Sequence, residues 1–158
     1  MNLLFVCLGN ICRSPAAEAA MISILVREGL EGKITVDSAG TSAYHAGEKA
    51  DRRMREHGSK RGLNLASRSR LFVVEDFENF DLIIVMDNSN YKNVMSLDSH
   101  NKYSHKVVKM TEYCDEHDEK EVPDPYYDGD AGFEKVLDMV TNGCENLLSQ
   151  IKDKVELT

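Results

Sequence analysis

The segment from Cys7 to Ser14 reads Cys-Leu-Gly-Asn-Ile-Cys-Arg-Ser and places thiols, a Gly-Asn pair and an arginine in one short stretch. Successive backbone N–H groups of such a loop can surround the oxygens of a phosphate group, and Gly9 and Asn10 tolerate the backbone angles that this requires. Arg13 adds a planar group that can make two charge-assisted hydrogen bonds. These positive surroundings favour a thiolate over a thiol, so Cys7 is a candidate nucleophile toward phosphorus.

A reaction at this loop also needs a proton donor for the leaving oxygen, and the donor must lie outside a loop that is built for anions. Asp124 is the best candidate, because Pro123 and Pro125 on either side stiffen the segment and hold its carboxyl group in place. The residues alone leave this assignment open, since several other carboxylates lie nearby in the sequence. Tyr126 and Tyr127 either form an apolar wall for a planar leaving group or pack as ordinary half-buried side chains.

Two further loop residues and the five histidines are also candidates for a chemical role. Ser14 is placed to donate its hydroxyl group to the Cys7 sulfur and so to stabilise the thiolate. Cys12 either packs as a small apolar residue or forms a reversible disulfide with an oxidised Cys7. The five histidines show no metal-ligand spacing with the cysteines, so we predict no metal and no other cofactor.

The surrounding elements alternate between short apolar runs and amphipathic segments. The first run ends at Gly9-Asn10, and Pro15 suits the first turn of the helix that follows. The pattern predicts strands over residues 2–7, 33–37, 82–86 and 107–110, and helices over residues 15–28, 50–57 (stopped by Gly58), 88–97 and 131–152.

Alternation of strands and helices predicts an α/β fold, with a four-stranded parallel sheet flanked by helices on both faces. Ligands of such sheets bind beyond the carboxyl ends of the strands, which is where the loop after strand 1 lies. The length of 158 residues and the absence of a linker-like or repeated segment predict a single domain over residues 1–158.

The composition and the hydropathy of the sequence restrict the classes of binding partner that we expect. A formal net charge of -8 argues against a general nucleic-acid partner, which would need a basic face. No apolar run is long enough to span a bilayer, so we expect no membrane insertion. The N-terminus lacks the features of a secretory signal, and we therefore expect a cytoplasmic protein whose four cysteines are thiols.

Three segments, in the same order, resemble the low-molecular-weight protein tyrosine phosphatases. They are residues 7–15, residues 37–41 (Asp-Ser-Ala-Gly-Thr) and residues 124–127 (Asp-Pro-Tyr-Tyr). The resemblance runs over nearly the whole chain and implies a flavodoxin-like, four-stranded parallel sheet. It also implies metal-free hydrolysis of protein phosphotyrosine through a cysteinyl-phosphate, with acid phosphatase activity on small esters.

Carried over by position, the resemblance implies that Cys7 is the nucleophile, Arg13 the phosphate clamp and Asp124 the general acid and base. Cys12 resembles a redox partner of the nucleophile. The implied phosphate-binding loop comprises Leu8, Gly9, Asn10, Ile11, Cys12 and Arg13, and the implied walls of the substrate cleft are Leu8, Tyr44, Tyr126 and Tyr127.

Asn10 resembles a residue whose strained backbone is held by hydrogen bonds, with Ser14 and Ser38 as its partners. Some relatives place a histidine in this network, and the corresponding residue here is Ser67. The network is therefore expected to be shorter, or bridged by water, on that side.

Two other reactions on the same scaffold remain as alternatives, together with a non-enzymatic anion-binding module. Arsenate reductases relay oxidation through further cysteines, and the wide separation of Cys114 and Cys144 offers no obvious relay. Phosphoarginine phosphatases typically carry threonine where this chain has Ile11. The expected partners are therefore phosphotyrosine-containing proteins, with inorganic phosphate or similar oxyanions in the site.

Overall fold

Four parallel strands form one sheet in the order β2-β1-β3-β4 in the computed structural model, which describes residues 1–156. The strands are β1 (Asn2–Cys7), β2 (Thr35–Gly40), β3 (Leu82–Val85) and β4 (Val107–Lys109). The central position of β1 places its carboxyl end in the middle of the sheet edge. The predicted four-stranded parallel sheet is confirmed.

Helices cover both faces of this sheet, as predicted. They are α1 (Arg13–Glu28), α2 (Arg52–Lys60), α3 (Asp76–Asn79), α4 (Asn88–Met95) and α5 (Gly129–Glu156). The buried residues of α1, α2 and α5 belong to one core cluster, and those of α3 and α4 belong to a second cluster across the sheet. No helix within the described residues is both long and apolar enough to cross a membrane.

The apolar run of β1 serves both clusters, because successive side chains of a strand point to opposite faces. Leu3 and Phe5 pack in the cluster with α1 and α5, whereas Leu4 and Val6 pack in the cluster with α3 and α4. All four side chains are fully buried. Burying side chains of this size contributes about 1.5–3 kcal/mol each, which anchors the strand that ends in Cys7.

The predicted bounds of the second strand, residues 33–37, are wrong. β2 runs from Thr35 to Gly40, because its carboxyl half pairs with β1 and because Phe72 donates its backbone N–H to the Gly40 carbonyl. A Cβ atom at Gly40 would lie 2.7 Å from the carbonyl oxygen of Leu8, so the strand ends in a residue without a side chain. The small residues that end β2 make room for the loop after β1.

The predicted helix stop at Gly58 is also wrong, since α2 continues to Lys60. Gly58 is buried in the helix, and a Cβ atom there would lie 2.7 Å from Cδ1 of Leu65. Close packing against the following loop explains this glycine. Gly29, in contrast, ends α1 in the left-handed conformation (φ = 69°) that a C-terminal glycine commonly adopts.

Candidate active site

The loop between β1 and α1 places Cys7 and Arg13 at the two ends of one short turn. Cys7 is the last residue of β1, and Arg13 is the first residue of α1, which starts two positions before the predicted start at Pro15. Within residues 1–156, no side chain caps the first turn of α1, and that turn contains no acidic residue. Its backbone N–H groups and the positive end of the helix dipole therefore form a site for an anion.

Asn10 adopts the left-handed conformation in this loop, with φ = 56°. Its Nδ2 donates to Oγ of Ser14 at 2.7 Å and to Oγ of Ser38 at 2.9 Å, and its Oδ1 accepts from the backbone N–H of Arg70 at 3.0 Å. A non-glycine residue in this conformation costs on the order of 1–3 kcal/mol, which the surrounding contacts must offset. The structure thus brings the three predicted network residues together and adds the backbone of Arg70.

The hydrogen-bond network around Asn10 continues from Ser38 to Glu18, a residue that the sequence pattern does not indicate. Ser38 donates its hydroxyl to Oε1 of Glu18 at 2.5 Å, and the Ser67 side chain is also hydrogen-bonded to this carboxyl group. Burial raises the pKa of Glu18, and nearby Asp37 adds to this effect, while the two serine hydrogen bonds oppose it. Ser67 therefore reaches the network through Glu18.

Arg13 is buried beneath the loop, and two groups on other elements hold it. Its Nη1 donates to Oδ2 of Asp87 at 2.7 Å and to the carbonyl oxygen of Val122 at 3.0 Å. Burial disfavours the charged guanidinium, but interactions with Cys7 and Asp87 outweigh this effect and raise the pKa of Arg13. The same side chain places Nη2 only 3.7 Å from Oδ2 of Asp124, so the predicted clamp and the predicted acid face one another.

A cavity of about 530 Å³ opens over this loop. Asp124 lies in its wall with 49% of its side chain exposed, and its Oδ1 accepts a hydrogen bond from the backbone N–H of Tyr126 at 3.1 Å. The rings of Tyr126 and Tyr127 meet edge to face with centroids 4.9 Å apart. Leu8 and Tyr44 complete the set of predicted cleft residues, all of which line the cavity. The full lining is Cys7, Leu8, Gly9, Ile11, Cys12, Arg13, Ser42, Tyr44, His45, Asp124, Tyr126 and Tyr127.

Comparison with known proteins assigns this arrangement to a family. The model of the low molecular weight phosphotyrosine protein phosphatases matches residues 2–157. The chain belongs to this family. A Synechocystis protein named as a low molecular weight protein-tyrosine-phosphatase is 52% identical over 151 residues, which cover 96% of each chain.

Solved structures agree with this assignment. The crystal structure of a protein tyrosine phosphatase from Entamoeba histolytica with Hepes in its active site is 47% identical, with a TM-score of 0.94 over 98% of each chain. The crystal structure of YfkJ from Bacillus subtilis is 37% identical, with a TM-score of 0.91 over 98% of this chain and 96% of the other.

Two cavity residues of this low-molecular-weight phosphatase are missed by the sequence analysis. Ser42 and His45 lie on either side of Tyr44 in the sequence, just after the carboxyl end of β2. Their position after a strand at the ligand-binding edge of the sheet is the sequence feature that could have indicated them. Nδ1 of His45 is hydrogen-bonded to Oε2 of Glu48. A Cβ atom at Gly9 would lie 3.1 Å from Cδ2 of His45, so the glycine lets the imidazole approach the loop.

Asp87 is a third residue that the sequence pattern does not assign to the site. It follows β3 at the same sheet edge as the loop, and its Oδ1 caps α4 by accepting from the backbone N–H of Asn90 at 2.7 Å. The other carboxylate oxygen accepts from Arg13. The sequence feature that could have indicated Asp87 is a carboxylate just after a central parallel strand, because ligands bind beyond the carboxyl ends of such strands.

The four cysteines of the phosphatase form no disulfide and lie in two different environments. Cys7 and Cys12 both line the cavity, whereas Cys114 and Cys144 belong to the packing around α5. Burial raises the pKa of the Cys12 thiol, and Asp51 and Cys7 add to that effect. Cys12 is therefore held as a neutral thiol beside the predicted nucleophile.

Proposed function

We propose that this chain hydrolyses phosphotyrosine monoesters of proteins, with Cys7 as nucleophile, Arg13 as phosphate clamp and Asp124 as general acid and base. Family membership supports the reaction class. The observation that carries the residue assignment is the cavity that Cys7, Arg13 and Asp124 line together, with the arginine 3.7 Å from the carboxylate. We also propose acid phosphatase activity on small aryl phosphates, because the cavity is open to solvent and its lining includes Leu8, Ile11 and three tyrosines.

In the first step the phosphate oxygens bind to the loop N–H groups and to the Arg13 guanidinium. The Cys7 thiolate attacks phosphorus in line, so the S–P bond forms as the bond from phosphorus to the tyrosyl oxygen breaks. Asp124, in its protonated form, gives its proton to that oxygen, and tyrosine leaves as a neutral phenol.

In the second step water attacks the cysteinyl-phosphate. The Asp124 carboxylate accepts a proton from the water, the S–P bond breaks and inorganic phosphate leaves. Ser14, whose Oγ lies 3.0 Å from the Cys7 sulfur, stabilises the thiolate that departs in this step. The chain then holds the same proton and the same charge as at the start, and the groups proposed for this cycle are all side chains and backbone N–H groups of the protein.

Ile11 supports a tyrosine substrate over phosphoarginine. Its aliphatic side chain lines the cavity next to the loop, where a guanidinium attached to phosphorus would lose hydrogen bonds to water. An arsenate-reductase relay would need further cysteines at the cavity, and among the described residues only Cys7 and Cys12 line it. We further propose that the chain is one catalytic domain that acts in the cytoplasm on phosphotyrosine proteins.

The test is phosphate release by the purified protein from matched peptides that carry phosphotyrosine, phosphoserine or phosphoarginine, with no metal added. We expect rapid release from the phosphotyrosine peptide alone. Cys7→Ser should abolish it, because a hydroxyl group is far less ionised than a thiol at neutral pH. Cys114→Ser is the matched control and should retain activity, since its Sγ only donates to the backbone carbonyls of Met110 and Met139. Activity in Cys7→Ser equal to that of the wild type would refute the mechanism.

A further inference from the structure

The start of α2 lies between the phosphate-binding loop and the segment that carries Asp124. Asp51 is the N-cap of α2, and its side chain accepts from the backbone N–H groups of Arg53 and Met54. Its own backbone N–H donates to the carbonyl oxygen of Ile11 at 2.8 Å. The residue therefore fixes the helix start directly to the phosphate-binding loop.

Arg53 extends this connection to the other side of the cavity. Its Nε and Nη2 donate to the two carboxylate oxygens of Asp51 at 3.2 and 3.0 Å, which is a bidentate contact. Its Nη1 donates to the backbone carbonyl oxygen of Tyr126 at 3.1 Å. The guanidinium carbon also lies 5.1 Å from the ring centroid of Tyr126 and 4.8 Å from that of Phe133 in α5. One side chain thus contacts a helix cap, a loop carbonyl and two aromatic rings.

Asp124 depends on its neighbours in the chain for its position. On its N-terminal side, Val122 is held through a backbone hydrogen bond to Met86 and through its carbonyl oxygen, which accepts from Arg13. On its C-terminal side, the backbone carbonyl oxygen of Tyr126 accepts the hydrogen bond from Arg53. The carboxyl group itself is half exposed and 3.7 Å from the Arg13 guanidinium.

We propose that Arg53 is a positioning residue that holds the general acid over the nucleophile by joining the Asp124–Tyr126 segment to Asp51 and the phosphate-binding loop. The inference rests on the proposed function of Asp124 as the acid. Arginine suits this role because a planar guanidinium makes the bidentate contact, the carbonyl contact and the ring contacts at once, which the single ammonium group of lysine cannot do.

The test is Arg53→Lys, which keeps the positive charge, compared with Arg53→Ala. The readout is kcat/KM for aryl phosphates with poor and good leaving groups, because this ratio contains only the steps through transfer to Cys7. We expect a loss of about 10- to 100-fold for phenyl phosphate, since small displacements of a catalytic group have effects of this size. For an ester whose leaving group needs no proton, we expect a change of less than about threefold.

Arg52→Lys and Arg52→Ala are the matched controls. Arg52 is the neighbouring residue in the same helix turn, but its side chain is 82% exposed and pairs with Glu56 on the helix surface. Both variants should keep the activity of the wild type with both esters. Inhibition by inorganic phosphate should also stay within about twofold in the Arg53 variants, because the loop N–H groups and Arg13 remain in place. Equal losses with both esters would instead assign Arg53 a general structural role and overturn the proposal.

A double variant separates this inference from the proposed function. In an Asp124→Asn background, Arg53→Lys should cause little further loss with phenyl phosphate, because the group that it positions is already absent. A full multiplicative loss in that background would refute the link between Arg53 and the acid. If Asp124→Asn alone does not affect phenyl phosphate, the assignment of the acid fails, and that result is visible before Arg53 is changed.

Discussion

The hydroxyl oxygen of Ser14 lies 3.0 Å from the sulfur of Cys7, and both residues are buried where β1 passes into α1. Ser14 also accepts a hydrogen bond from Nδ2 of Asn10, so its own proton is free to point toward the sulfur or toward the carbonyl oxygen of Ala39 at 3.4 Å. The same amide that holds the strained backbone of Asn10 therefore orients the hydroxyl beside the nucleophile. Loop geometry and thiolate stability depend on one hydrogen-bond network.

Ser14→Ala should slow the alkylation of Cys7 by iodoacetate at pH 6 by about 10- to 100-fold, because a hydrogen bond to a charged group contributes about 1.5–3 kcal/mol. At a pH high enough to ionise every thiol, the rates of variant and wild type should converge. Ser59→Ala, on the exposed face of α2, is the control and should match the wild type throughout. An identical rate for Ser14→Ala at pH 6 would remove Ser14 from thiolate stabilisation.

Asp124→Asn should reduce kcat/KM by about 10²- to 10⁴-fold for phenyl phosphate, which has a poor leaving group, because general acid catalysis typically contributes this much. An ester whose leaving group needs no proton should lose far less. Asp128→Asn is the control, since this carboxylate is exposed and does not line the cavity. If both esters lose activity to the same extent, the acid must be another residue.

Glu18→Gln should stabilise the protein relative to the wild type, and increasingly so as the pH rises. Burial raises the pKa of Glu18 in the folded chain above its ordinary value of 4.5. As the pH rises through 4.5, the unfolded chain therefore loses this proton first, which favours unfolding until the pH exceeds the raised pKa. Glutamine stays neutral, like the protonated carboxyl group, and avoids this loss.

The measurement is urea unfolding of both proteins at several pH values from 4 to about 7, with the difference in unfolding free energy plotted against pH. The difference should grow upward from a pH of about 4.5 and then level off. A difference that is constant or shrinks with pH would mean that Glu18 is ionised at least as easily in the folded chain as in the unfolded one.

Cys12→Ser should convert a reversible oxidation into a permanent one. Peroxide oxidises the Cys7 thiolate to a sulfenic acid, and the Cys12 thiol then displaces water from it to form a disulfide. A dithiol reductant cleaves this disulfide and restores both thiols. We therefore expect the wild type to recover activity after brief exposure to peroxide and the variant to recover less. Equal recovery would exclude Cys12 from the scheme, and Cys114→Ser should recover as the wild type does.

The sequence by itself determined the fold class and predicted the residues that we propose for the centre of the site. Apolar runs of a few residues can be buried on both faces only as central strands of a covered sheet, as in β1 and β3. The Gly-Asn pair, the arginine and the serine-proline step that follow Cys7 describe an anion site whose groups are close in the chain. Local backbone chemistry and periodicity are sufficient for such features, because neighbouring residues are close in any fold.

Only the tertiary structure decided which distant groups complete the site. Asp87 joins Arg13 because β3 lies next to β1, and Glu18 meets Ser38 because α1 packs against β2. The extension of β2 to Gly40 likewise depends on pairing with β1 rather than on its own sequence pattern. Such contacts join residues that are far apart in the chain, and a carboxylate or serine in isolation carries no sign of its future partner.

Arg53 is the clearest example of a residue whose partners could not be predicted from the sequence. In the sequence this arginine is one of several charges in a segment whose pattern indicates a solvated helix face. In the fold its guanidinium lies against the rings of Tyr126 and Phe133 while it binds Asp51, because α2, α5 and the segment that carries Asp124 converge there. Sequence periodicity indicates which face of a helix is polar, whereas the packing of the elements decides which polar residue is placed against the site.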